Sequence, residues 1–211
     1  MAWVSPASGN ELTTTRSEAA VRILDDERQQ AVGRAGLHLG PVEVRSQVVG
    51  YRRRDLASGE VLATEDLDLP PSCLVTRAFW YVIEPEVLEA AGVAPAAWPG
   101  TLHAVEHAGI GILPLFTICD RWDVCGVSTA LQVETGRPTI VVYDAYPGGA
   151  GIAELGFAAG RRHLEATLEV VSACACSAGC PSCIQSPKCG NWNEPLDKAG
   201  SVALLREVLG A

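Results

Sequence analysis

Over the first third of the chain, apolar and polar positions alternate in short runs, the two-residue period of strands with one buried face. Val42, Val44, Val48 and Val49 mark a strand within residues 42–51, Ser58-Gly59 turns the chain, and a second strand follows near Val61. Leu69-Pro70-Pro71-Ser72 is a stiff break, and LVTRAFWYVI (74–83), β-branched and aromatic, predicts a buried strand. The period then lengthens. Pro85 opens a short helix ending by Gly92, and residues 93–100 form a loop. Leu102, Val105, Gly109, Ile112, Leu113 and Phe116 recur at spacings of three and four, the apolar stripe of a buried helix over residues 101–116. Residues 128–133 and 139–143 are expected as strands joined through Thr135-Gly136. A long helix is expected over 149–171 and an amphipathic one over 195–209. Strands crowd the first half and helices the second, so the fold class is α+β, a β-rich first half packed with helices. Residues 1–18 are expected as a flexible lead-in, 19–172 as the α+β domain, and 173–211 as a cysteine knuckle with its closing helix, all in one compact unit.

Composition narrows the setting. With 48% hydrophobic and 19% charged residues, the 211-residue chain is globular in character and long enough to bury a core. Its longest apolar run, residues 110–118, is too short to span a bilayer, and Asn10, Glu11, Arg16 and Glu18 interrupt any secretory signal, so no membrane partner is expected. The expected compartment is cytoplasmic and reducing, where clustered cysteines read as a metal site before a disulfide framework. A net charge of −9 argues against a domain that holds nucleic acid mainly through phosphates. The best local basic patch is Arg52-Arg53-Arg54, with Arg45 upstream; a solvated strand end accounts for it equally well.

Five of the eight cysteines fall within CACSAGCPSCIQSPKC (174–189). Cys174, Cys176, Cys180 and Cys183 give C-x-C-x3-C-x2-C, with the Gly179-Cys180-Pro181 turn suited to a thiolate knuckle. Four thiolates at about 2.3 Å make a closed tetrahedral zinc site, which holds a fold together and leaves no position for chemistry. Cys174, Cys176, Cys180 and Cys183 are therefore the expected ligands of one structural Zn2+, with Cys189 as a possible substitute. Iron–sulfur ligation also takes four thiolates, but the spacing matches no familiar cluster run.

The stretch CACSAGCPSCIQSPKCGNWNEPLDKAG (174–200) resembles the C-terminal metal-binding module, the MZB domain, of MrfA-type superfamily-two DNA helicases. VVGYRRRDLASGEVL (48–62), LPPSCLVTRAFW (69–80), LHAVEHAGIGILPLF (102–116), CDRWD (119–123) and VYDAYPGGAG (142–151) resemble the same region in the same order. Cys125 in DRWDVCG stands where that family pattern has glycine. The resemblance implies an accessory region of an ATP-dependent 3′–5′ translocase on single-stranded DNA, linked to DNA repair and nucleoid-associated. The motor itself would lie elsewhere, since the sequence has no G-x4-G-K-[ST] phosphate loop. Single-stranded DNA, engaged together with motor lobes, is then the expected partner, and a docking subunit without DNA contact is an alternative.

Three further motifs carry chemistry. His103-Ala-Val-Glu-His107 matches the H-x-x-E-H pattern in which both imidazoles, on one helix face, grip zinc and the glutamate acts as base. A zinc hydrolase using His103, Glu106 and His107 would need a third ligand, with Glu165 and Glu169 as the nearest candidates in the pattern. Asp144–Gly151 (DAYPGGAG) lies between strand and helix, where amides can cradle a phosphate, although a tight turn explains it more simply. Trp122 and Trp192 are loop tryptophans able to stack on unpaired bases, whereas Trp80 belongs to the core. Arg52, Arg53, Arg54, Trp122 and Lys188 are the candidate DNA contacts, and Lys198 is a further cation beside the knuckle.

Overall fold

The computed structural model describes residues 9–211. Its spine is a 21-residue strand, β3 (Ala35–Asp55), too long for any one neighbour to cover. On one side it pairs with β1 (Glu11–Ile23) and then β2 (Arg28–Val32), two pieces of a single interrupted edge. On the other it pairs with β5 (Ser72–Ile83) along its first half and with β4 (Val61–Asp66) near its end. The sheet continues from β5 to β7 (Thr139–Asp144) and ends at β6 (Val124–Thr129), every pair antiparallel.

Two-residue alternation sends side chains to opposite faces. Leu37, Leu39, Phe79, Tyr81, Ile83, Ile140 and Val142 face the helices and form the main core with them. Val42, Val44, Ala78, Trp80, Val82, Val141 and Tyr143 form a second cluster on the reverse face, where Trp80 stacks on His38 at 5.7 Å.

The helical layer begins with α1 (Pro85–Ala90), followed by α2 (Trp98–Ile112), α3 (Ile152–Ala159), α4 (Arg161–Ala173) and α5 (Lys198–Leu209). Helix α2 packs on both α4 and α5 as well as on β6 and β7, so its residues are buried almost all round. The α+β class is as expected, and Leu204, Leu205, Val208 and Leu209 of α5 enter the same core as the first strands.

Several boundaries differ from the sequence pattern. Residues 11–18, expected in the lead-in, are part of β1, where edge pairing to β3 holds residues whose mostly exposed side chains leave no apolar rhythm. The first eight residues of that segment lie outside the described residues. The expected strand at 128–133 sits earlier, because Leu131 and Val133 project to solvent at 67% and 87% exposure in the connection to β7. Cys125 is a strand residue opposite Tyr143, not part of a turn. The single helix over 149–171 is two, broken at Gly160, whose φ of 49° and ψ of −118° only glycine adopts readily.

Candidate metal centre

Helix α4 ends at Ala173 and delivers Cys174 in extended conformation at its C-cap. The chain then folds back through Gly179, whose φ of 109° needs glycine and whose missing side chain makes room for Ile184. A turn follows in which Cys183 N–H donates to Cys180 O at 3.0 Å and Cys180 N–H donates to Cys183 Sγ at 3.3 Å. This brings four sulfurs together. Sγ separations are 3.6 Å for Cys174–Cys176, 3.5 Å for Cys174–Cys180, 3.5 Å for Cys176–Cys183 and 3.8 Å for Cys180–Cys183. A tetrahedron with Zn–S bonds of about 2.3 Å has edges of about 3.8 Å, so the four thiols fit zinc with little adjustment.

The surroundings suit a tetrathiolate. Lys198, at the first position of α5, turns its Nζ inward to donate to Cys174 O at 2.7 Å, to Cys176 O at 2.6 Å and to Cys176 Sγ at 3.4 Å. Instead of reaching outward to phosphate, its charge sits against the sulfurs. Burial pushes the Cys176 thiol up, but hydrogen bonds from Cys183, Cys174, Cys180 and Lys198 outweigh it and bring the group down to about 6. Burial pushes Cys183 up to about 12. The knuckle rests on Ala104 and Ala108 of α2, Val171 of α4 and its own Ile184. It thereby ties the end of α4 to the start of α5 across α2.

Cys189 does not join this set. It lies with His103 and His107, one ligand atom of each within 4.8 Å of the others. The two histidines share a face of α2, as spacing of four requires. Neither Glu165 nor Glu169 is the third member: both are exposed on α4, and Glu165 pairs with Arg161 at 2.7 Å. Glu106 is buried and accepts from Ser128 Oγ at 2.7 Å; burial raises its carboxyl above the usual range against the pull of that hydroxyl. Sequence spacing alone missed the Cys189–histidine grouping. The signal present was a surplus cysteine together with an i, i+4 histidine pair, separated by 86 positions.

The candidate DNA contacts are scattered. Arg52 lies over the Trp192 ring at 3.7 Å, whereas Arg53 points the other way toward Glu11 and Glu65, at 3.6 and 3.9 Å. Arg54 has its Nε buried without a hydrogen-bond partner among the described residues. The three arginines thus form no single patch, because alternation along β3 separates neighbours. Lys188 Nζ donates to the carbonyls of Arg121 and Val124 and lies 5.5 Å from the Trp122 ring. Trp122 is 63% exposed and borders, with Lys188, a cleft of about 500 Å3. The DAYPGGAG loop is a self-filled turn: Asp144 accepts from the amides of Ala150, Ile152 and Ala153 at 2.5, 3.2 and 2.9 Å, occupying the donors a phosphate would use. No described helix is long and apolar enough to cross a membrane.

Comparison with known proteins agrees with this geometry. Residues 105–184 match the family model described as MZB, MrfA Zn-binding domain. An uncharacterized ATP-dependent helicase, YprA of Bacillus subtilis, is 29% identical over 183 residues, 87% of this chain and 24% of the helicase. The uncharacterized protein MJ1572.1 of Methanocaldococcus jannaschii is 37% identical over 111 residues, which are 51% of this chain and 99% of that protein. Among solved structures, the DUF1998 helicase MrfA bound to DNA has a TM-score of 0.64 at 27% identity, covering 95% of this chain and 26% of the helicase. The chain therefore spans about a quarter of the length of the helicases it matches.

Proposed function

Since this chain belongs to the MZB family, the zinc-binding C-terminal region of MrfA-type helicases, we propose that it is the non-motor accessory region of an ATP-dependent 3′–5′ DNA helicase acting in DNA repair. In this reading Cys174, Cys176, Cys180 and Cys183 hold one structural zinc, and the region helps a motor engage single-stranded DNA in the cytoplasm. One observation carries it: four thiols at near-tetrahedral separations, backed by an inward-turned lysine, within the segment that matches the MrfA Zn-binding domain. Such a metal supplies cross-linking and no reaction step. The chain's own residues do the rest: Lys198 offsets the negative charge of the thiolates, and Ile184, Ala104 and Ala108 pack against them.

The DNA part of the proposal rests on the exposed Trp122, which offers a π-face beside the cleft, and on the likeness to a helicase solved with DNA. Because the chain is acidic, motor lobes supply most phosphate contacts and stacking supplies the local contribution. The test is fluorescence anisotropy with a labelled single strand and a duplex of equal length at low salt. The single strand should bind more tightly, and Trp122→Ala should weaken it by roughly 5-fold or more, the low end of one stacking contact. Equal affinity for both DNAs, or no effect of Trp122→Ala, removes the single-strand role. Tetrathiolate-bound zinc, read from the cobalt-substituted spectrum, that stays bound in Cys180→Ala removes the structural-metal role.

A further inference from the structure

We propose that His103, His107 and Cys189 form a second zinc site, separate from the tetracysteine knuckle and open to the cleft. Both histidines keep one ring nitrogen free. His103 Nδ1 lies 2.8 Å from Pro195 O and His107 Nδ1 lies 2.8 Å from Ile184 O. A carbonyl oxygen only accepts, so each Nδ1 carries the proton and each Nε2 presents a lone pair. Donation of the remote ring N–H to a backbone carbonyl is the arrangement that orients zinc-bound histidines and raises their basicity. Here two histidines one helical turn apart share it, their ring centroids 4.2 Å apart.

The third donor is held just as firmly. Asn193 Oδ1 accepts from Ser186 N–H at 2.7 Å and its Nδ2 donates to Ser186 O at 3.1 Å, closing the loop that carries Cys189. Asn193 N–H donates to Cys189 Sγ at 3.3 Å, a bond that favours the thiolate. The sulfur sits 3.4 Å from His103 Nε2. Zn–N bonds of about 2.0–2.1 Å and a Zn–S bond of about 2.3 Å at a tetrahedral angle place nitrogen and sulfur about 3.5 Å apart. A single thiol hydrogen cannot satisfy two imidazole lone pairs at once, whereas a cation bound by both and by the thiolate can. On binding, Cys189 releases its proton to solvent and zinc takes the three lone pairs.

Three protein ligands leave one coordination position. The cleft is lined by all three of these residues, together with Glu106, Ser128 and Tyr143, so the fourth position faces it and takes a water. This separates the two metals by kind: one is closed by four sulfurs, the other accessible and of mixed nitrogen and sulfur character. The inference stands on its own geometry and does not depend on the DNA-binding role proposed above.

The test is metal content by mass spectrometry on the full chain, combined with cobalt substitution, because Co2+ reports its ligand set through its absorption. Two zinc equivalents per chain are expected. Cys189→Ser and, independently, His103→Gln should each leave one, with the tetrathiolate cobalt spectrum intact, while Cys180→Ala should lose the other and keep the mixed-ligand spectrum. Retention of that spectrum in Cys180→Ala also shows that the second site stays folded. One equivalent in the unaltered chain, unaffected by Cys189→Ser and His103→Gln and lost with Cys180→Ala, overturns the second site while leaving the structural knuckle standing. Two equivalents that both survive Cys189→Ser and His103→Gln overturn it as well.

Discussion

At the scale of single residues, the buried histidine is as informative as the metal-facing ones. His163 is enclosed, with its Nε2 2.8 Å from Gly109 O and its Nδ1 3.1 Å from the Tyr81 hydroxyl. The carbonyl needs a donor, so in the neutral ring Nε2 is protonated and Nδ1 accepts from the Tyr81 hydroxyl. Burial holds its pKa below the ordinary value of 6.5, against the pull of Gly109 O. A lowered folded pKa means that the unfolded chain binds the proton first as pH drops, so stability is full above 6.5 and is lost between 6.5 and the folded value. Denaturant unfolding at fixed free zinc should show this loss as about 1.4 kcal/mol per pH unit within that window. His163→Gln, which keeps a donor and an acceptor but cannot titrate, should show a flatter profile; parallel profiles would remove His163 as the cause. The knuckle cysteines were legible from spacing because their partners lie within ten positions. The roles of Cys189 and Lys198 were not, since each depends on which backbone groups the fold brings alongside.

At the scale of elements, apolar rhythm located the structures that bury one face and missed those that do not. Residues 74–83 and the 101–116 stripe were plain, because β5 and α2 are buried for most of their length. Strands β1 and β2 were not, because an edge strand held by backbone pairing needs no alternation of side chains. The break at Gly160 was hidden for another reason: apolar residues on both sides continue a helical period, and only the backbone angle marks the corner. Gly160→Ala should therefore destabilise the protein by about 1–3 kcal/mol. Its new methyl would also meet Gln30 Nε2 at 3.2 Å. Gly111, inside α2 with open space at its missing side chain, provides the contrast: Gly111→Ala should stabilise by about 0.4–1 kcal/mol. Unfolding midpoints of the two variants should move in opposite directions, and a matching shift would rule out the backbone explanation.

At the scale of the whole molecule, the knuckle fastens elements far apart in sequence. Cys174 extends α4, Lys198 begins α5, and both meet above Ala104 and Ala108 of α2. Metal binding energy at such a site is folding energy. Chelation should lower the thermal midpoint and, in hydrogen exchange, strip protection from residues 174–189 and α5 while β3 and β5 stay protected. Unchanged protection at α5 would mean that packing alone holds the helix. The α+β class followed from the order of strand and helix signals. The shared core followed from nothing local, because it joins the two ends of the chain.

That joining has a consequence for how the molecule is made. Leu204, Leu205, Val208 and Leu209 complete the core begun by Leu37 and Leu39, and Arg34 N–H donates to Val208 O at 2.8 Å. During synthesis, the sheet and α1 to α4 emerge with the part of the core that α5 closes still open, until the last turn of α5 leaves the ribosome. Completion of the core thus waits for nearly all of the region, and a ribosome stalled before residue 204 would hold α2 and α4 with the apolar flanks that α5 covers still bare.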